Sequence, residues 1–155
     1  MSGRERDYAA VAARLRGRLG ERAGFEERLR AVVEELWTAL SRRGVSWCGF
    51  YLPSEDAAEL VLGPRRDAPA CSPIGLHGVC GRAFRERRPL VVREVAGLGE
   101  AYVACDPRDR SEVAVPVLDR SGECRAVLDL DSREPGAFGD RDAAGLKEVL
   151  AAAGL

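Results

Sequence analysis

The side chains best suited to chemistry here are five cysteines and a group of carboxylates on strand-like sequence. Cys48, Cys71, Cys80, Cys105 and Cys124 are many for a cytosolic chain, where structural disulfides are rare. Each is either a buried hydrophobe or a centre of redox or metal chemistry. No CxxC pair exists, and the separations from Cys71 to Cys80 and from Cys80 to Cys105 do not match zinc spacing, so no metal is expected. Gly78-Val79-Cys80-Gly81 opens a helix, which puts Cys80 near orphan N–H groups that favour a thiolate or another anion. The alternative is a small residue packed at a helix start. His77, the only histidine, sits in a Gly-rich loop and reads as a surface residue.

The carboxylates belong to the stretch from Ala104 to Ser132. Glu112 to Leu118 and Glu123 to Asp131 alternate with period two, and Asp119-Arg120-Ser121-Gly122 between them has turn chemistry. This predicts a β-hairpin. Pairing Leu118 with Glu123 sets Glu112 opposite Asp129, with Asp131 one pleat further on the same face. The opposite face is Val113, Val115, Val117, Cys124, Ala126, Leu128 and Leu130. Opposed like charges need water or a cation. The acidic face is therefore either solvated, with Arg110 beside Asp131 and Arg125 lower down as partial neutralisers, or a pocket for a positively charged ligand group.

The elements that must position these residues follow from periodicity. A segment at 1–24 reads as an N-terminal helical extension, with Tyr8, Val11, Ala12, Leu15 and Leu19 at helical spacing. It packs on the domain or on a second subunit, which leaves a homodimer open. Residues 25–155 read as one domain. It begins with a helix from Phe25 to Leu40, whose stripe is Leu29, Val32, Val33, Leu36, Trp37 and Leu40. Val45 to Leu52 is a central strand with Trp47, Gly49 and Tyr51 on one face and Cys48, Phe50 and Leu52 on the other. Glu59 to Gly63 pairs with it, and Cys71 follows on a loop or short extended piece. A helix from Gly78 to Arg87, a strand from Pro89 to Val95, an aperiodic loop from Ala96 to Arg110 and the hairpin come next. Asp140 caps a last helix through Leu150. That order predicts an α+β fold: a central antiparallel sheet with helices on one face and loops covering a pocket on the other.

Composition is that of a globular chain, with 46% hydrophobic and 32% charged residues. A net charge of −1 gives no electrostatic basis for binding nucleic acid or an anionic membrane. No apolar run approaches the roughly 20 residues of a membrane span, and the Arg- and Glu-rich start lacks the apolar core of a signal peptide. A cytoplasmic location is expected.

Taken in order, WCGFYL, ELVLGP, PAC, GVCGRAF, ACD, SEVAVPV and VLDLDS strongly resemble the free methionine-R-sulfoxide reductases, a GAF-domain enzyme family. The match runs from about Val45 to Asp142. The resemblance implies that Cys105 is the catalytic cysteine, Cys71 the resolving cysteine and Cys80 a third pocket cysteine. It implies that Glu112, Asp129 and Asp131 bind substrate with the pocket tryptophan Trp47, which Tyr51 joins on the same strand face. The segment SPIGLHGV between Cys71 and Cys80 is one residue shorter than the family pattern and has His77 in place of an Arg. Cys48 and Cys124 have no family counterpart and fall on apolar strand faces, as packing residues do.

The chemistry thus implied is attack by a Cys105 thiolate on a sulfoxide sulfur, with Glu112 or Asp129 as the acid. The resulting sulfenic acid condenses with Cys71, and a thioredoxin-type reductant resets the disulfide. No bound cofactor is needed. Three carboxylates suit the α-ammonium of a free amino acid, so free methionine sulfoxide is the expected substrate. The alternative is a regulatory GAF module that binds a small ligand or senses redox state, and the lack of an output segment weighs against it.

Overall fold

The two N-terminal helical patterns form α1 (Tyr8–Arg18) and α2 (Phe25–Leu40). The computed structural model describes residues 5–67, 70–101 and 105–155. Asp7 caps α1 by accepting the Ala10 N–H at 2.9 Å, and the inward Val11, Ala12 and Leu15 are fully buried. The stripe of α1 is covered by the domain itself, mainly by α4 (Asp140–Ala152). Gly145 permits that approach, because a β-carbon there would collide with the Tyr8 ring. Tyr8 also donates its hydroxyl to Asp142 at 2.6 Å. Asp140 is the first residue of α4 rather than its cap; Gly139 holds the cap position, and Asp142 accepts the Gly139 N–H at 2.9 Å.

The strands are β1 (Trp47–Pro53), β2 (Leu60–Arg66), β3 (Leu90–Val92), β4 (Ser111–Leu118) and β5 (Cys124–Ser132). They form one antiparallel sheet in the order β2-β1-β5-β4-β3. This is the α+β arrangement expected. β3 is shorter than the predicted run to Val95, because at Arg93 the chain leaves the sheet and its carbonyl accepts the Gly136 N–H at 2.7 Å. One face carries Cys48, Phe50, Val113, Val115, Val117, Ala126, Leu128 and Leu130 against α1, α2 and α4. The other carries Trp47, Tyr51, Ala114 and Val127 beneath the connecting segments and α3 (Val79–Glu86).

The hairpin register differs from the predicted one. Asp119 accepts hydrogen bonds from the N–H groups of Ser121 and Glu123 at 2.9 and 3.0 Å, and Gly122 adopts a positive φ of 87°. This turn pairs Leu118 with Cys124, and a bulge then pairs Val117 with Ala126. Beyond the bulge the strands are offset by two residues from the prediction, so Glu112 faces Asp131 and Asp129 faces Ala114. A two-residue offset preserves faces, which is why the acidic side survives. Cys124 lies on the turn side of the bulge, where one extra residue flips side-chain parity relative to the rest of the strand. It therefore joins the pocket-side cluster instead of the core face.

Cys48 is fully buried in the main core, and Cys124, 7% exposed, rests beside the hairpin turn with its Sγ 3.3 Å from the Ala126 carbonyl. Neither lines the cavity described below. Cys48→Ala and Cys124→Ala are expected to lower stability by about 1 kcal/mol or more with kcat/KM nearly unchanged. Thermal melts and steady-state kinetics check this; a normal Tm with ten-fold lower activity would contradict it.

Candidate active site

Strand register sets the site side chains in two rows across the sheet. Val92, Glu112, Asp131 and Trp47 are successive cross-strand partners, and the neighbouring row is Leu90, Ala114, Asp129 and Gly49. Trp47 and Tyr51, two pleats apart, have ring centroids 6.1 Å apart. Glu112, Asp129, Asp131, Trp47 and Tyr51 all line one cavity, together with Cys80 and Cys105.

Glu112 and Asp129 are 6% and 4% exposed. Asp131 is partly buried. Burial raises the pKa of all three; at Asp129 and Asp131 it is reinforced by the neighbouring carboxylates. Taken as ionised acceptors, these groups leave Asp129 Oδ1 buried without a hydrogen-bond partner. A proton shared within the group, or a cation, satisfies it. Arg110 does not neutralise the acids, as the solvated-face alternative required; it forms a two-pronged pair with Glu94 at 3.1 and 2.8 Å. Arg125 lies over the Phe25 ring, 4.8 Å from its centroid.

Cys71 and Cys105 form a disulfide with a Cα–Cα separation of 5.5 Å. The Cys71 segment is fastened along the sheet edge: Leu60 and Ile74 exchange backbone hydrogen bonds at 2.9 and 2.8 Å, and the Leu62 N–H donates to Ser72 Oγ at 3.0 Å. From the sheet, the Tyr51 hydroxyl donates to the Cys71 carbonyl at 2.8 Å. Ala104 of the ACD motif and Pro69 of the PAC motif lie outside the described residues.

Cys80 occupies the second position of α3, and Gly81 beside it lets the helix approach the backbone of Leu76. The expected thiolate is not favoured there. Cys80 is 5% exposed, and burial pushes its thiol up, with Asp129, Glu112 and Asp131 adding to the effect. Low polarity and three carboxylates outweigh the helix terminus. The thiol instead donates to Glu112 Oε2 at 3.8 Å. Cys80 Sγ, a Glu112 oxygen and an Asp129 oxygen lie within 4.8 Å of one another, a grouping able to hold a cation. His77 is exposed, as predicted.

Asp109 and Ser46 were not expected at the site. Asp109 is 7% exposed, lines the cavity and accepts the Ser46 hydroxyl at 3.0 Å; burial raises its pKa. It lies in an aperiodic loop, where alternation gives no signal. Asp106 is the contrasting case: hydrogen bonds from Arg108 hold it at about 2.

The profile of the GAF domain matches residues 23–155. The chain belongs to the GAF domain family. The resemblance read from motif order also holds among its relatives. The free methionine-R-sulfoxide reductase of Escherichia coli K12 is 36% identical over 109 residues, which is 69% of this chain and 63% of that protein. The chain therefore spans less than two thirds of that relative's length. The reduced form of fRMsr from Staphylococcus aureus superimposes with a TM-score of 0.87 at 28% identity, covering 99% of this GAF domain chain and 96% of the other. The free methionine-R-sulfoxide reductase of Neisseria meningitidis in complex with its substrate gives 0.85 at 29% identity, covering 99% and 91%. Among the described residues, no helix is long and apolar enough to cross a membrane.

Proposed function

We propose that this GAF domain protein reduces free L-methionine (R)-S-oxide to L-methionine. The observation that carries this is the Cys71–Cys105 disulfide beside a cavity floored by Glu112, Asp129 and Asp131. It pairs the two thiols that a sulfenic-acid cycle requires, next to groups that recognise an ammonium. The names of the relatives support the R epimer.

In the reduced protein, the Cys105 thiolate attacks the sulfoxide sulfur. Oxygen ends on Cys105 as a sulfenic acid, methionine leaves, and the carboxylate group supplies the proton needed by the departing oxygen. The Cys71 thiol then displaces the hydroxyl of Cys105–SOH as water and closes the disulfide. A thioredoxin-type dithiol restores both thiols. Such a cycle suits the reducing cytoplasm. The α-ammonium sits among the three carboxylates, one of which keeps the proton that the sulfoxide oxygen takes, and Trp47 packs against the S-methyl end. For the α-carboxylate, the first turn of α3 offers N–H groups that no side chain caps.

Turnover of free methionine sulfoxide with dithiothreitol tests the proposal. Catalytic release of methionine is expected. A module that only senses redox state would oxidise the same cysteines and release none beyond background.

A further inference from the structure

We infer that Cys80, Glu112 and Asp129 form a site for a thiophilic divalent cation, Zn2+ or Cd2+, whose binding excludes the substrate ammonium. The exclusion rests on the ammonium pocket proposed above, whereas the cation site stands on its own geometry. Cys80 remains a free thiol when Cys71 and Cys105 are joined, so the site exists in the disulfide form.

The donors come from three elements, α3, β4 and β5, and their ligand atoms already lie within 4.8 Å of one another. Bonds of about 2.3 Å to sulfur and 2.0–2.2 Å to oxygen place tetrahedral ligands about 3.5 Å apart. The Cys80–Glu112 contact is 3.8 Å, so small side-chain rotations complete the set. All three residues are buried, and the Asp129 carboxylate has an oxygen, Oδ1, that is buried with no hydrogen-bond partner. No lysine, arginine or histidine is among the described residues lining the cavity. One sulfur with two carboxylates favours a borderline-soft ion over Mg2+ or Ca2+. Three protein ligands leave a fourth position for water. Binding releases the Cys80 thiol proton, and any proton shared by the carboxylates, to solvent as the metal–sulfur bond forms. The motif spacing gives no hint of such a site, because the ligands are remote in the chain.

The test is a Cd2+ titration of the full chain with its disulfide intact, read by the ultraviolet thiolate-to-cadmium charge-transfer band. One Cd2+ per chain is expected, with the band lost in Cys80→Ser, binding at least ten-fold weaker in Asp129→Asn, and the band retained in Cys48→Ala and Cys124→Ala. If Cys80→Ser does not fold, Glu112→Gln serves, again with at least ten-fold weaker binding. Free methionine sulfoxide, which the disulfide form lacks the free Cys71–Cys105 pair to reduce, should raise the apparent Kd for Cd2+. No band in the wild-type protein, or a band that survives Cys80→Ser, overturns the cation site. An active enzyme with no band loses only this inference, whereas a band indifferent to methionine sulfoxide overturns the exclusion.

Discussion

Cys105→Ser is expected to abolish reduction of methionine sulfoxide, with kcat/KM down by at least about 10³-fold. A serine hydroxyl is far less nucleophilic than a thiolate at neutral pH, and serine forms no sulfenic acid for Cys71 to resolve. Binding should persist, because Glu112, Asp129, Asp131 and Trp47 are untouched. Steady-state kinetics together with binding of unreacted sulfoxide separate the two effects. Substantial activity in this variant would move the nucleophile to Cys71, since Cys80 is buried among carboxylates that disfavour its thiolate.

The second large effect concerns the substrate's amino group. Glu112 and Asp129 are almost fully buried, and Asp129 Oδ1 lacks a partner. An α-ammonium supplies charge-assisted hydrogen bonds to these groups. N-acetylation removes that charge and two donors, leaving buried carboxylates to keep their proton or stay unpaired, at a cost of about 3 kcal/mol or more. The expected result is a kcat/KM for N-acetyl methionine sulfoxide at least about a hundred-fold below that for the free R epimer. Equal values would remove the ammonium pocket even from an active sulfoxide reductase.

Much of this site was legible because sheets preserve parity. Alternation alone put Glu112, Asp129 and Asp131 on one face, and the two-residue error in register left that face intact. It misassigned Glu112's partner, which is Asp131, and it misplaced Cys124, because a bulge at the hairpin cannot be read from a Val- and Leu-rich alternation. The rows that join Trp47 to Asp131 and Gly49 to Asp129 depend on the order of the strands, which local pattern does not encode. Loop residues were harder still. Asp109 reaches the cavity through a turn in which its N–H bonds to the Asp106 carbonyl at 3.1 Å, a geometry without periodicity. Arg110 looked like a neighbour of the acids, yet Glu94 from the preceding segment holds it. Cys80 shows the limit of a local electrostatic argument, since a helix N-terminus alone favours a thiolate and the tertiary environment reverses that preference.

The most direct measurement is a single turnover. Fully reduced protein, freed of external thiol, is mixed with excess free methionine (R)-sulfoxide, and released methionine and disulfide-linked peptides are quantified together. About one methionine per chain is expected, released no later than an equal amount of Cys71–Cys105 crosslink forms. A crosslink that forms without methionine, or methionine released while Cys71 and Cys105 stay reduced, would contradict it.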